Sequence, residues 1–467
     1  MKKIFDCSKF NFRIFQYFAA IGGNMGMISL GMHQGWSSRA LPILTSGNYS
    51  FEITNSEGYS LVSVMPLGAL LGDVITAATL HKVGHNRFVI IATLPLCISW
   101  ILMAFAPSAA FMFVGRFLAG IADGVFFTAF PPYLAEIAEP EIRGFLGSTY
   151  SLSMVLGMLL INTFFFFGSL TSVTVIGALI SLMTLLFLPF LPESPYFYLM
   201  NKDVLAAKAS LQKFNGRGEV VEELYRISKG IMEEGDDKET LGDLFCNKTY
   251  RKSFLIALMV CLSQFLSGSM AIQSYATTIF EESRSFLSAD VATIIYFVTF
   301  FVSSLFSQMV VDYSGRRPLM LVSLGMVALM VFLEGTYLYI KAATNIDTSG
   351  FDFVQLFSIV VYTVFYGCGL NTVPNIIASE ILPSKMRVIG FCIINIGYSL
   401  TTIAVLQFFG WAKDSFGIFI SLYCFGCICI VAFVLVTVFL PETKKKTLEE
   451  IQAEVRGDAS AKNLGKY

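Results

Sequence analysis

Residues 115–144 read GRFLAGIADGVFFTAFPPYLAEIAEPEIRG. The stretch begins with one cation, Arg116, and ends in a cluster of charges of both signs that includes Glu136 and Arg143. Between them lies an apolar run of about 20 residues, the length that an α-helix needs to cross the hydrocarbon core of a bilayer. Charges beside lipid are costly unless they are paired or hydrated. The stretch therefore predicts a membrane-spanning helix whose charged end meets partners from elsewhere in the chain.

The whole chain has the composition of a membrane protein. Of its 467 residues, 55% are hydrophobic and 14% are charged, whereas soluble domains carry about 25% charged residues. Barrel strands are excluded because they would be segments of about 10 residues with alternating polarity. Twelve long apolar runs instead predict an all-α membrane protein with twelve transmembrane helices in two six-helix halves. The runs lie at roughly 15–37, 58–80, 87–106, 109–137, 145–167, 171–190, 253–280, 289–311, 318–340, 353–379, 388–411 and 416–440.

The order of these runs predicts the domain organisation. We expect an N-terminal six-helix bundle at 1–190, a cytoplasmic helical linker at 191–252, a C-terminal six-helix bundle at 253–440 and a cytoplasmic tail at 441–467. The linker is the only long hydrophilic segment, and it is too short and too interrupted to be a catalytic domain.

The distribution of cations predicts the orientation in the membrane. If both termini are cytoplasmic, four of the 32 Lys and Arg residues fall in external loops, namely Arg39, Arg284, Lys341 and Lys413. This bias agrees with the positive-inside rule, so we expect a multi-pass plasma-membrane protein with cytoplasmic termini. Asn48 begins an Asn-Tyr-Ser triplet in the first external loop and is a candidate glycosylation site. None of the nine Cys lies in an external loop, which argues against a disulfide framework.

Charged residues at the helix ends are repeated in the two halves. Glu136 and Arg143 recur 244 residues later as Glu380 and Arg387, with the same spacing of seven. Pro192-Glu193-Ser194 similarly recurs as Pro441-Glu442-Thr443, and Gly84 as Gly315. A duplicated structural membrane protein would not need mirrored charge clusters at corresponding helix ends. The repetition therefore favours a transporter built from two repeats, with its substrate site between them.

Six motifs, in order along the chain, resemble the sugar porters of the major facilitator superfamily. They are GRFLAG at 115–120, YLAEIAEPEIRG at 133–144, PESP at 192–195, DYSGRRP at 312–318, SEILPSKMR at 379–387 and PETKKKTLEEI at 441–451. Within that family, GWSS at 35–38 and EILPSKMR at 380–387 resemble the insect facilitated trehalose and hexose transporters. The resemblance implies the major facilitator fold, a sugar-like solute, and transport by facilitated diffusion.

The repeated charges predict a cytoplasmic gate. Opposite charges can pair bidentately when the cation is Arg, and opening the gate would break the pairs as water solvates the ions. The candidate gate residues are Arg116, Arg143, Arg316, Arg317 and Arg387 with Glu136, Glu193, Asp312, Glu380 and Glu442. The alternative is that these charges only set the topology, but their fixed spacing in both halves favours a gate. The resemblance points the same way, since sugar porters are held outward-facing by such pairs.

The first copy of the gate departs from the family pattern. Where the family has Asp-Arg-x-Gly-Arg-Lys, this chain has His-Lys-Val-Gly-His-Asn at 81–86. Two histidines at the cytoplasmic surface would make gating sensitive to internal pH. We favour the alternative, in which His81 and His85 are solvated surface residues without a role.

The substrate site is expected among amides, hydroxyls and aromatic rings, which suit a neutral polyhydroxylated solute. The candidates are Ser151, Gln264, Ser267, Gln273, Asn371, Asn375 and Tyr398. Compared with the family, Phe265 and Met270 stand where sugar porters have amides, and Asn375 stands where they have Trp. Lost amides leave sugar hydroxyls without partners, so we doubt that glucose binds in the family's usual way, and other sugars, polyols or a more apolar ligand become candidates.

His33 and Asp123 are ionisable residues inside predicted spanning helices, and such residues are functional candidates by default. A His33–Asp123 pair that carries a proton would make the protein a symporter. We favour the alternative of a hydrated carboxylate or a structural polar contact.

These observations predict a transporter of a sugar or a related solute that works by alternating access. The alternatives are a proton-coupled symporter and a transporter-like sensor that binds sugar without moving it. No enzyme activity, cofactor, metal site or nucleic-acid partner is expected, because the sequence offers no nucleophile–base pair, metal cluster or phosphate-binding loop. The expected partners are the sugar-like solute and the lipid bilayer.

Overall fold

The computed structural model describes residues 7–47, 49, 51–139, 142–215, 220–234, 247–283, 287–344, 349–382 and 384–444. Within these ranges the chain is almost wholly helical. The α-helices are α1 (Cys7–Thr45), α2 (Asn55–Val83), α3 (His85–Ala104), α4 (Ala109–Ile137), α5 (Arg143–Phe167), α6 (Leu170–Phe187), α7 (Pro195–Met200), α8 (Val204–Asn215), α9 (Val220–Glu234), α10 (Lys248–Phe265), α11 (Ser269–Ser274), α12 (Ala276–Ser283), α13 (Ala289–Ser314), α14 (Arg316–Ala343), α15 (Phe353–Phe365), α16 (Val373–Ile381), α17 (Ser384–Ser415) and α18 (Ile418–Phe439).

All twelve predicted spanning segments are present as helices. Eleven segments of the described chain are long and apolar enough to cross a membrane, and α1 is the twelfth. At 39 residues, α1 is about 58 Å long, since an α-helix rises about 1.5 Å per residue. Its polar residues, which include Gln16, Asn24 and His33, make it less apolar than the others. Two segments are interrupted: segment 7 consists of α10, α11 and α12, and segment 10 consists of α15, a π-helical turn (Tyr366–Leu370) and α16.

Two glycines let the chain turn sharply between neighbouring spanning helices. Gly84 between α2 and α3 has φ 94°, and Gly315 between α13 and α14 has φ 91°. Side chains rarely adopt this left-handed region because the Cβ atom clashes with the backbone. Each glycine therefore ends one helix and starts the next within a single residue, at equivalent points of the two halves.

Close packing of α2 on α4 depends on small residues. On α2, Gly68 and Gly72 are four residues apart. They face Gly120 and Gly124, which are four residues apart on α4. A Cβ atom at Gly120 would collide with the carbonyl oxygen of Met65, and one at Gly124 with that of Ala69. Such small-xxx-small patterns allow the backbones of membrane helices to approach closely. The glycines in the 115–144 stretch thus serve helix packing.

The described chain divides into two compact units. The first contains Met1–Gln34 and Val64–Lys238, and the second contains Gly35–Ser63 and Glu239–Tyr467. In the first unit, the helices of the hydrophilic linker pack on the bundle, because Gln16 donates to the Phe214 carbonyl at 3.1 Å and Lys213 to the Phe190 carbonyl at 2.6 Å. The second unit includes the end of α1 and the start of α2, and its core is rich in buried aromatic rings such as Tyr275, Tyr296 and Phe297.

Candidate functional site

The breaks in segments 7 and 10 define the candidate site in the second unit. Segment 7 is broken after Phe265, where Gly268 takes φ 81°, and segment 10 loses its regular hydrogen bonding over 366–372. A broken helix frees backbone groups at membrane depth, which is tolerated only inside protein or beside a cavity. Transporters of several folds use such discontinuous helices to build binding sites. π-helical turns are likewise frequent at functional sites.

Amide side chains join the two breaks. The Nε2 atom of Gln264 donates to the carbonyl oxygen of Asn371 at 3.4 Å, and the Ser267 hydroxyl donates to the Gln264 carbonyl at 2.7 Å. Gln264 and Gln273 are buried, and the Oε1 atom of each has no hydrogen-bond partner within the described chain. A buried acceptor without a donor costs roughly 1–3 kcal/mol. Two such acceptors therefore suit a ligand that brings hydroxyl donors.

Two aromatic rings lie beside Gln264. The rings of Tyr362 and Tyr366 stack at a centroid distance of 5.8 Å and an interplanar angle of 5°. The Tyr366 hydroxyl lies beside the side chains of Gln264 and Ser269, and the Tyr362 hydroxyl lies beside Ser267. Aromatic faces with a few convergent polar groups are typical of sites for small organic ligands.

The other predicted site residues are spread more widely. Tyr398 packs edge-on against Phe265 at a centroid distance of 4.8 Å, and its hydroxyl contacts the Met270 sulfur at 3.4 Å. Asn375 is exposed on α16, and Ser151 is half-buried on α5 of the first unit. Among the contacts described, none joins Asn375 to the Gln264 cluster, which consists of Gln264, Ser267, Ser269, Tyr362, Tyr366 and Asn371. Sequence reasoning missed Tyr362, Tyr366 and Ser269, although two tyrosines four residues apart on one helical face were a usable signal.

The charged end of the second unit contains one of the predicted ion pairs. Arg316 binds Oε1 of Glu380 through Nε at 3.3 Å and Nη2 at 3.1 Å. Glu442 instead accepts hydrogen bonds from the backbone N–H groups of Arg316 and Arg317, both at 3.1 Å. A carboxylate at this position satisfies the free donors at the start of α14 and the positive end of its dipole. Glu442 is thus a helix cap, with backbone groups in place of the predicted guanidinium partners.

The first unit repeats this arrangement with one substitution. Glu193 accepts from the backbone N–H groups of Asn86 at 2.9 Å and Arg87 at 3.1 Å, so it caps α3 as Glu442 caps α14. His85 occupies the position of Arg316, and its Nδ1 atom lies 3.6 Å from Glu136, the counterpart of Glu380. The side chain of His85 is 14% exposed. The favoured prediction of a solvated His85 is therefore wrong, because the residue packs against a carboxylate; His81 is exposed.

The remaining gate candidates have different positions. Arg143 donates to the Ala138 carbonyl at 3.3 Å, and it lies near the hydroxyl of Tyr196, whose pKa is raised by burial. Arg317 donates to the Thr437 carbonyl at 2.6 Å. The side chains of Asp312 and Arg387 fall outside the described residues, as does Asn48.

Arg116 is not part of the charged end. It lies 20 residues before Glu136 on α4, a separation of about 30 Å along a helix. Its guanidinium is buried and donates through Nη1 to the backbone carbonyl of His33. Its predicted place in the gate is wrong, because one continuous helix carries the two residues to opposite ends.

The interior of the first unit holds two separate polar groups. His33 binds the Ser99 hydroxyl at 2.8 Å and stacks on Trp100 at a centroid distance of 3.6 Å. Asp123 lies near Asp73, which sequence reasoning missed and which accepts from the Thr128 hydroxyl at 2.9 Å. Within the described residues no hydrogen bond or ion pair joins His33 to Asp123, so the structure gives no support to the proposed proton-carrying pair.

Polar contacts also hold the C-terminal end of α1 and the N-terminal end of α2 within the second unit. Sequence reasoning missed them, since it treated Arg39 only as a loop cation. The contacts are Ser38 with Thr277 at 3.0 Å, Tyr59 with Asp414 at 2.7 Å, and Arg39 with Asp290.

Comparisons with known proteins agree on one family. Residues 20–455 match the family described as sugar (and other) transporter. The facilitated trehalose transporter Tret1 of Bombyx mori is 30% identical over 456 residues, which are 97% of this chain and 89% of that protein. Tret1 of Apis mellifera ligustica is 28% identical over 446 residues, which are 95% of this chain and 88% of that protein.

Among solved structures, a partially occluded inward-open form of the Escherichia coli xylose transporter XylE matches with a TM-score of 0.78. It is 21% identical in sequence, and the match covers 93% of this chain and 99% of that one. At this identity the likeness shows the fold, and it confirms the predicted twelve-helix major facilitator architecture. This chain is therefore a multi-pass membrane protein of the sugar transporter family.

Proposed function

We propose that the chain carries a neutral, polyhydroxylated sugar by facilitated diffusion and that the Gln264 cluster holds the solute. The observation that carries the proposal is the meeting of the two broken segments at Gln264 and Asn371. The Gln264 amide oxygen, which has no donor within the described residues, lies there beside the stacked rings of Tyr362 and Tyr366. Amides and hydroxyls bind sugar hydroxyls, and ring faces pack on sugar C–H groups, whereas none of the side chains named in this cluster carries a charge. A neutral solute therefore fits better than an ionic one.

Trehalose is the first substrate to test. The relatives from Bombyx mori and Apis mellifera ligustica are named facilitated trehalose transporters. In this chain Phe265 and Met270 replace amides that sugar porters carry, and both contact Tyr398. The substitution makes this wall more apolar, so we expect weaker binding of glucose than of a larger sugar with more ring surface.

The charged ends are proposed to form the cytoplasmic gate, with both termini cytoplasmic and the protein in the plasma membrane. The Arg316–Glu380 ion pair and the contact between His85 and Glu136 support a common role, since the two lie at equivalent points of the repeat. A sensor without transport would not need both copies, and the transporter relatives favour movement of solute over sensing.

Uptake into proteoliposomes tests the proposal. Purified protein is given radiolabelled trehalose, glucose, xylose and sorbitol, with and without a proton ionophore. We expect saturable trehalose entry that stops at equilibrium and is unaffected by the ionophore. Gln264→Ala should reduce the rate of uptake by roughly 10–100-fold through loss of a buried hydrogen bond. Thr336→Ala, a change on the exposed face of α14, should leave uptake unchanged.

Two results would contradict the proposal. Binding of a sugar without flux for any member of the panel would favour the sensor. Accumulation against the sugar gradient that collapses with the ionophore would favour the proton symporter.

A further inference from the structure

A carboxylate lies inside the second unit with no cationic partner among the described residues. Glu334 is on α14, within a spanning segment, and is 3% exposed. It is outside every repeated motif and outside the Gln264 cluster. Burying an ionised carboxylate in a membrane protein is costly unless it is paired, so its surroundings decide its protonation state.

When Glu334 is ionised, the Ser358 hydroxyl lies between two acceptor oxygens but has one hydrogen to donate. The Ser358 hydroxyl contacts both the Oε2 atom of Glu334 and the backbone carbonyl oxygen of Gln355, the latter at 3.0 Å. Both of those oxygens are acceptors when Glu334 is ionised, but a serine hydroxyl has one hydrogen to donate. If Glu334 carries a proton, it donates to the Ser358 oxygen, and Ser358 donates to the Gln355 carbonyl. Both contacts of the Ser358 hydroxyl are then satisfied.

The other carboxylate oxygen shows the same shortage of donors. Oε1 of Glu334 is buried and has no hydrogen-bond partner within the described residues. The Gln355 side chain lies beside the carboxylate, and one of the two hydrogens on its Nε2 atom is donated to the Ile279 carbonyl at 2.8 Å. The other hydrogen makes no hydrogen bond to Oε1 of Glu334. A neutral carboxylic acid tolerates an unpaired oxygen far better than an ion does.

No cation faces Glu334 from the packed elements, as far as the described chain extends. The wall of the small cavity around it consists of Ile272, Ile279, Met330, Val331, Ile359 and Leu422, together with Ser358 and Tyr362. Tyr362 is the one titratable group in that wall besides Glu334. On α14 itself, Lys341 lies about two turns away and pairs with Asp352 at 3.8 Å, and Tyr337 donates to the same Asp352 at 2.9 Å.

The Glu334 cavity borders the proposed sugar site. Tyr362 lines this cavity, and its ring stacks on Tyr366, whose hydroxyl lies beside Gln264. Glu334 and Ser358 also form a buried polar contact between α14 and α15, the helix that carries Tyr362. A change in the charge of Glu334 would therefore act on the helix that carries one wall of the sugar site.

We propose that Glu334 is an intramembrane proton-binding site whose neutral form holds α15 against α14, so that sugar exchange slows when the proton leaves. The link to exchange rests on the proposed transport function, whereas the proton-binding site does not. Loss of the proton would place an unpaired negative charge in the apolar cavity and remove the donor that completes the Ser358 contacts. Alkaline pH should then disfavour the packed arrangement and lower turnover.

Infrared difference spectroscopy of the full-length protein in liposomes tests protonation without any sugar. The carbonyl band of a protonated carboxylic acid should disappear as pH rises in the wild type. The part of that band due to Glu334 should be missing in Glu334→Gln and shifted in frequency in Glu334→Asp. Glu222→Gln, at an exposed position on α9, should leave the band unchanged.

Sugar exchange at equal internal and external pH tests the second half of the proposal. One pH unit above the infrared midpoint, about nine-tenths of the acid is ionised, so wild-type exchange should fall about tenfold. Glu334→Gln, in which an amide mimics the neutral acid, should keep its acidic-pH rate at alkaline pH.

Different results overturn different proposals. An unchanged acid band in Glu334→Gln, or a pH profile of exchange identical to that of the wild type, would overturn the Glu334 proposal. Absence of flux for every sugar with the Glu334 band intact would overturn the transport proposal and leave the proton site standing.

Discussion

Replacing Glu442 or Glu193 by alanine should destabilise the protein, because each carboxylate caps a spanning helix. Glu442 accepts from the backbone N–H groups of Arg316 and Arg317 at 3.1 Å and of Lys444 at 2.9 Å. Glu193 has the same role at the start of α3 in the other unit. Loss of a gate residue that pairs with a distant guanidinium would have a different effect. It would shift the equilibrium between inward-facing and outward-facing states more than it would lower the stability of one unit.

The size of the effect follows from these contacts. A side-chain cap is worth about 0.5–2 kcal/mol, and an anion at a helix N-terminus contributes up to about 2 kcal/mol. The freed N–H groups regain water at the partly exposed Glu442 end, so we expect a net loss of about 2–3 kcal/mol for Glu442→Ala. Glu193→Ala should cost at least as much, because Glu193 is buried. Glutamine keeps one acceptor oxygen but loses the charge, so its cost should be about 1 kcal/mol.

Thermal unfolding of the purified protein in detergent measures these differences. A loss of about 2–3 kcal/mol should lower the midpoint by roughly 4–12 °C for a unit of about 200 residues. Glu222→Ala, at an exposed site on α9, is the matched control and should change the midpoint by less than about 1 °C. If Glu442→Ala and Glu193→Ala lower the midpoint no more than this control, the capping argument fails and the carboxylates must act through other partners.

Two further predictions concern the first unit. His85→Arg should raise the free energy of unfolding by roughly 1–2 kcal/mol and make the unfolding midpoint less dependent on pH, because Arg is always charged beside Glu136 and can reproduce the pair seen between Arg316 and Glu380. Midpoints measured at acidic and alkaline pH check this, and an unchanged pH dependence would contradict it. Gly120→Val should abolish folded protein, because its Cβ would strike a backbone carbonyl of α2, and a monodisperse, active variant on size exclusion would refute that packing argument.

The spanning helices were predictable because a long apolar run has few alternatives in a bilayer. The interruptions in segments 7 and 10 were not, since Gly268 and the 366–372 turn lie inside runs that remain apolar overall. A break depends on which neighbours accept the freed backbone groups, and those neighbours are distant in sequence. Gln264 and Asn371, for example, are 107 residues apart.

The repeat identified the equivalent charges but not their partners. A spacing of 244 residues relates Glu136 to Glu380, yet nothing in that spacing shows that a neighbouring carboxylate caps a helix. Backbone N–H groups are present at every helix start and leave no mark in the sequence. The prediction for Arg116 failed for a related reason. It considered the charge of Arg116 but not the length of the helix that separates this residue from Glu136.

Buried ionisable residues without a motif were the hardest to recognise. Asp73 and Glu334 each stand alone in an apolar run and have no counterpart in the other half. Their importance depends on their hydrogen-bond partners, which come from other helices. Thr128 lies beside Asp73, and Ser358 lies beside Glu334. A hydropathy profile averages over such single residues, so it records a spanning helix and loses the polar site within it.

The two halves have kept their charged ends alike and their interiors different, and the physics of each part explains the contrast. A cap needs only a carboxylate and a turn that exposes backbone N–H groups, so Glu193 with Gly84 and Glu442 with Gly315 satisfy the same requirement whatever solute is carried. The interior must match one solute, and matching requires specific side chains. Changes of substrate should therefore map to the Gln264 cluster and its tyrosines, while changes at the helix ends should alter stability and turnover for every substrate alike.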